Sequence, residues 1–304
     1  MKKSYKVPWL LIFLAQPIAG YNEPGVNLGL TNFLDGGPLR PQPGFYWSQY
    51  LQYYQSNKFL DQCGNLLGGV PSPKLKAWYF ITEFIYQFEQ EILKANPGFS
   101  VVLPAALSSS ITRNDLGILD SGSGVGDLLL GAYLQFKPLK HHERHILVSR
   151  VELSASFPTG KNKQPGQAIN AGNGFYYINP YWAATLYFSP QFAASWRLNY
   201  LWNSTNKKTR IKAGQALFLN FDLQFEAVPK LWLGINAYTF QQLQNDKLCG
   251  VTIPHSKETV TGLGPGFLYS FPKDFDFFGH LYFEKQVRNR PQGISFILRL
   301  FKYF

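Results

Sequence analysis

The sequence predicts an all-β fold: a transmembrane antiparallel β-barrel of about 12 strands, with short periplasmic turns and longer external loops. Three observations carry this. Apolar and polar residues alternate over runs of ten or more positions, the period of a pleated strand with two different faces. The connections between runs are mostly short and long in turn. The chain also stops on such a run, ISFILRLFKYF, with Phe304 as its last residue.

Of 304 residues, 45% are hydrophobic, 17% aromatic and only 15% charged. Mean hydropathy is -0.15, so the apolar content is dispersed, as alternation disperses it. The opening stretch is MKKSYKVPWLLIFLAQPIAG. Lys2, Lys3 and Lys6 precede a short apolar core, Val7 to Ala15, and small residues follow. This is a secretory signal pattern over 1–20, too short to span a bilayer; an uncleaved interfacial anchor is the other reading. Residues 21–43 are rich in Gly and Pro. They either insert into the barrel or lie in the periplasm. Leu28, Leu30, Phe33 and Leu34 are costly to leave in water, which favours insertion. Residues 44–304 make the barrel, and the implied location is a bacterial outer membrane.

Runs begin near Phe45, Ala77, Phe99, Asp127, Leu147, Phe175, Phe192, Ala213, Leu231, Thr259, Phe275 and Ile294. The run at Ala77 (AWYFITEFIYQF) also reads as an amphipathic helix. From Leu147, Val151, Leu153 and Ala155 oppose Arg150, Glu152 and Ser154. From Phe192, Trp196, Leu198 and Tyr200 oppose Ser195, Arg197 and Asn199. Leu217, Leu219, Phe221 and Leu223 then oppose Asn220, Asp222, Gln224 and Glu226; a helix would scatter these polar groups around its circumference. Leu231, Leu233 and Ile235 oppose Trp232, Asn236 and Tyr238. Phe275, Phe277, Leu281 and Phe283 oppose His280, Tyr282, Glu284 and Arg288. In the last run, Ile294, Phe296, Leu298 and Leu300 oppose Ser295, Arg299 and Tyr303.

Ser189-Pro190, Val228-Pro229 and Pro272-Lys273-Asp274 are tight joints. Gln55 to Lys74, Ser108 to Gly126, Pro158 to Gly172, Ser204 to Ile211 and Gln241 to Glu258 are long and polar. Tryptophans lie largely toward run ends, as interfacial girdles require. A closed wall leaves no strand edge in lipid, so the last run must pair with the first.

Several stretches occur in order: PGFYWSQYLQYYQSNKFLDQCG from Pro43, SGSGVGDLLLGAYLQF from Ser121, SASFPTGK ending at Lys161, and NGFYYINPYWAATLYFSPQFAASWRLNYLWN from Asn173. TRIKAGQALFLNFDLQF and LGINAYTFQQLQNDK follow. Together these resemble the outer-membrane family labelled "meta-pathway of phenol degradation", over most of the chain beyond the signal. The resemblance implies a barrel that passes hydrophobic or aromatic compounds, with a small apolar solute as its partner. The terminal Phe304 strand also resembles the signal that barrel-assembly machinery recognises, although Lys302 replaces the usual apolar residue two before the end.

The inward parity nominates transport candidates of both signs: Arg150, Glu152, Arg197, Asp222 and Glu226, then His280, Glu284, Arg288 and Arg299. They either line a path or pair across the lumen and seal it. Tyr177, Tyr181, Trp232, Tyr238 and Tyr282 offer ring faces to an apolar solute or simply pack the lumen. Cys63 and Cys249 are the two cysteines, and both pairing and two free thiols fit an exported chain. Gly122, Gly124 and Gly126 precede a strand, whereas a phosphate loop needs a following helix. His141-His142-Glu143-Arg144-His145 lacks the HExxH spacing and reads as a solvated turn. No cofactor is implied. Without a GxSxG elbow, and with His280 the single histidine inside a run, an outer-membrane lipid hydrolase is a weaker alternative. A structural or surface-interaction barrel without transport is another.

Formal net charge is +11. Without the three signal lysines, 26 basic residues face 18 acidic ones, or +8. An exported chain meets outer-membrane lipids and the phosphates of lipopolysaccharide rather than nucleic acid. Lys161, Lys163, Lys207, Lys208, Arg210, Lys247 and Lys257 lie in the external loops that would meet them.

Overall fold

The computed structural model describes residues 26–37, 42–67, 72–113, 117–142, 144–161, 170–272 and 274–304. The signal stretch 1–20 and Lys163 lie outside the described residues.

The strands are β1 (Gly44–Phe59), β2 (Lys74–Gln87), β3 (Ala95–Arg113), β4 (Gly117–Val125), β5 (Leu128–Phe136), β6 (Leu139–His141), β7 (Arg144–Phe157), β8 (Tyr177–Ser189) and β9 (Phe192–Asn203). They continue as β10 (Ile211–Lys212), β11 (Ala216–Val228), β12 (Leu231–Gln242), β13 (Lys247–Leu248), β14 (Val251–Thr252), β15 (Thr259–Phe271), β16 (Phe275–Arg288) and β17 (Pro291–Tyr303). Twelve close a ring in the order β1-β2-β3-β5-β7-β8-β9-β11-β12-β15-β16-β17. The seam is the antiparallel pairing of β1 with β17, which opposes Tyr46 to Tyr303 and Tyr54 to Ser295. Phe304 extends it: its N–H donates to the Phe45 carbonyl at 3.1 Å, and the two rings lie 5.4 Å apart. Closure satisfies backbone groups that lipid cannot.

The ambiguous Ala77 to Phe88 run lies in β2. Trp78, Phe80, Phe84 and Tyr86 are exposed on the lipid side, while Ala77, Ile81, Ile85 and Gln87 are buried inside. That period of two is a strand's. Ser108 to Gly126, expected as an irregular loop, instead prolongs the wall as the β3–β4 hairpin, with Ile111 opposite Asp120.

One inward assignment is corrected. Arg288 is exposed and points away from the lumen. The β15–β16 register shifts between Thr259↔Arg288 and Thr261↔Lys285, and Gln286 takes a φ of 51°. This bulge adds one residue to β16 and reverses the parity beyond it. Val287 and Arg290 are buried instead, and Arg290 lies 3.6 Å from Glu258.

Of the two readings of the cysteines the structure has the free thiols: Cys63 and Cys249 are both free and exposed. They sit in different loops at the long-loop end. There burial pushes the Asp246 carboxyl above its ordinary range, against hydrogen bonds from the Gly214 N–H and the Gln242 side chain.

Candidate functional site: a lumen threaded by the N-terminal segment

Val26, Leu28, Leu30, Phe33 and Leu34 are buried within the barrel. Such a segment has no sheet partner, so its backbone groups must find side chains. They do so on an arc of the ring that runs from β5 to β16. The Gly29 N–H donates to Asn220 Oδ1 at 3.1 Å, and the Phe33 N–H to Asp222 Oδ2 at 2.9 Å. The Gly36 N–H donates to Thr185 Oγ1 at 2.9 Å, while Gln135 Nε2 donates to the Gly36 carbonyl at 3.1 Å. Asn32 Nδ2 donates to the Tyr282 hydroxyl at 2.7 Å, which donates in turn to the Gly29 carbonyl at 3.0 Å. The polar faces of β5, β8, β11 and β16 therefore serve as a template for the segment.

Seven of the nine ionisable candidates are buried inside: Arg150, Glu152, Arg197, Asp222, His280, Glu284 and Arg299. Most of them are partnered. Arg197 makes a two-bond ion pair with Asp35, at 2.8 and 2.6 Å, and lies 4.3 Å over the Tyr181 ring. Arg150 donates to the Tyr181 hydroxyl at 2.8 Å, and that hydroxyl donates to Glu152. Glu152 also accepts from Ser100 at 3.0 Å. Glu284 accepts from Tyr54, Tyr238 and the Gly293 N–H at 2.7, 2.8 and 2.7 Å, which ties β1, β12, β16 and β17 together. Arg299 donates to Ser48 at 2.9 Å and faces the rings of Tyr50, Phe278 and Phe301 at 5.1, 4.9 and 4.9 Å. His280 lies 5.6 Å from the Phe33 ring, and neither ring nitrogen has a hydrogen-bond partner among the described residues. Glu226 is half-buried at the rim, where it accepts from the Lys230 N–H at 2.8 Å and closes the β11–β12 turn.

All five aromatic candidates, Tyr177, Tyr181, Trp232, Tyr238 and Tyr282, are buried inside. Tyr238 and Tyr282 pack at 4.9 Å, and Trp232 packs in the cluster that receives Phe33 and Leu34.

Beside the segment, reaching toward β1, β2 and β3, lie two cavities. One of about 50 Å³ lies toward the short-turn end, bordered by Tyr46, Ile85, Phe278 and Phe301. The other, about 90 Å³, lies toward the long loops, bordered by Tyr50, Ile81, Val102, Pro104 and Leu129. Thr31, Glu83 and Arg197 border both. Glu83 accepts from the Tyr50 hydroxyl at 2.7 Å. Sequence reasoning missed both Glu83 and Asp35. Glu83 shares inward parity with Ile81 and Ile85, a signal readable only once β2 is known to be a strand. Asp35 lies in a segment with no periodicity to read.

Comparisons with known proteins agree with this architecture. A family model described as "Putative MetA-pathway of phenol degradation" matches residues 56–300. No curated protein matches the sequence. Among solved structures, a COG4313 outer membrane channel from Pseudomonas putida F1 superposes with a TM-score of 0.78 at 18% identity, covering 90% of this chain and 100% of that one. The transport unit of the autotransporter AIDA-I from Escherichia coli superposes with a TM-score of 0.51 at 11% identity, covering 91% and 96%. At these identities the likeness is one of fold.

Proposed function

The chain belongs to this MetA-pathway phenol-degradation family, and from that premise we propose that it is an outer-membrane channel for passive movement of small hydrophobic or aromatic solutes. The observation that carries this is the uneven attachment of the segment 26–37 around the lumen. It is bonded to the arc that runs from β5 to β16 and leaves space toward β1, β2 and β3, where Tyr50, Ile81, Val102 and Pro104 border the larger cavity. That space, about 90 Å³, is of the order of the ~150 Å³ apolar cavity known to hold benzene. It suits a single ring rather than a sugar. Polar groups border it too, among them Glu152 and Asn179, while Glu83 and Arg197 sit where the two cavities meet; they keep a solute from being trapped in a uniformly apolar site.

Nothing about His280 favours hydrolysis, because its nitrogens reach neither a serine nor a carboxylate. The reading that competes is a structural barrel without transport. Entry of a hydrophobic fluorescent naphthylamine into intact cells separates the two, since lipopolysaccharide retards apolar solutes that phospholipid vesicles would simply dissolve. Faster entry on expression of this chain supports the channel. Entry equal to that of cells carrying an empty vector supports the structural reading.

A further inference from the structure

At the long-loop end, β10, β13 and β14 form a small separate sheet. Its register sets Lys212 directly opposite Lys247. Directly opposed residues of an antiparallel pair share a face with Cβ atoms roughly 5 Å apart, and like charges there repel. Among the described residues neither lysine has an ion-pair partner. The nearby carboxylates are turned inward. Asp246, the neighbour of Lys247 in sequence, accepts from the Gly214 N–H at 2.9 Å and Gln242 Nε2 at 2.6 Å. Glu258 is buried against Arg290.

The pair also has a defined depth. Lys212 Nζ lies 5.3 Å over the ring of Trp202. Trp202 shares the parity of the lipid-facing Leu198 near the external end of β9. A tryptophan there marks the membrane interface, so the two ammonium groups stand at headgroup height on the outside of the wall. On the opposite face of this small sheet Leu248 pairs with Val251, and both are exposed.

We propose that Lys212 and Lys247 bind a phosphate of lipid A in the outer leaflet, at the height that Trp202 marks. The anion removes the repulsion that the register imposes. The bulk attraction of a basic loop for an anionic surface needs no such pair; a fixed two-lysine site does. The proposal is independent of what passes through the lumen.

The test titrates purified full-length protein in detergent with bisphosphorylated lipid A, with lipid A stripped of phosphate, and with inorganic phosphate, read by native mass spectrometry. The double variant Lys212→Gln/Lys247→Gln is expected to bind bisphosphorylated lipid A roughly tenfold or more weakly. Lys161→Gln, in another loop, is expected to match the unmodified chain. Phosphate-free lipid A should bind no better to the unmodified chain than to the double variant. Heat-modifiable migration checks folding; should the double variant fail it, the single Lys247→Gln, which lacks the ring contact, is used and must also bind more weakly. Equal binding by the folded variant overturns the site. An equal loss in Lys161→Gln assigns the effect to general surface charge, and displacement of lipid A by equimolar inorganic phosphate assigns it to a free-anion site; each overturns the proposal.

Discussion

Asp35 and Arg197 join a segment without regular structure to the barrel wall through two hydrogen bonds of 2.6 and 2.8 Å, across 162 residues of sequence. Both side chains are buried. Removing one partner of such a pair costs about 3–5 kcal/mol, because the other charge stays desolvated. The wall is held by its own ladder, so this cost falls on the segment. Asp35→Asn is therefore expected to raise single-channel conductance and its fluctuation while the barrel stays resistant to unfolding. Combining it with Arg197→Gln should be clearly less than additive, since both changes remove one interaction.

Gly29 gives a steric version of the same test. Its φ is 74°, and a Cβ there would lie 2.6 Å from the Tyr282 ring. Gly29→Ala thus combines backbone strain with a clash against a fully buried ring. The expected result is displacement of the segment, seen as faster proteolysis within residues 26–37 with an unchanged heat-modifiability transition. An unchanged cleavage rate would show that the segment does not depend on this close approach.

Glu83 borders both cavities, and among the described residues it has no basic partner. The adjacent Arg197 charge is balanced by Asp35. A lone carboxylate at a constriction favours cations. Glu83→Gln should shift the reversal potential in a salt gradient toward anion preference, with little change in stability. Asp222→Asn serves as the contrast: that side chain is fully buried against the Phe33 N–H, so its loss should loosen the segment rather than tune selectivity.

The cysteines report on the loops. Cys63 and Cys249 are free and exposed, so both should react with a membrane-impermeant maleimide on intact cells. Electrophoretic mobility should be the same with and without reductant. One protected thiol, or a shift on reduction, would contradict the loop arrangement.

Much of this fold was legible because a barrel wall writes its two environments into alternate residues. Arg150, Glu152, Arg197 and Asp222 were placed by parity alone, since lipid and lumen differ so sharply at each step. Parity failed where geometry departed from it. The bulge at Gln286 sends Arg288 outward and brings Arg290 inward, and no property of Gln286 announces a φ of 51°. The role of the lumen residues was less legible. Glu284 reads as a charge lining a path, yet three donors occupy it. Those partners come from strands far apart in sequence, and the segment that occupies Asn220 and Asp222 comes from a stretch without periodicity. Alternation reports which side a residue faces, not what it meets there.

The most direct measurement compares the single-channel conductance of the full chain with that of a variant lacking residues 26–37, each folded and reconstituted in planar bilayers. If this segment fills the lumen and leaves a narrow path toward β1, β2 and β3, the full chain should show small steps and the shortened chain steps several-fold larger. Equal conductance in two folded barrels would mean that the segment 26–37 does not limit the path.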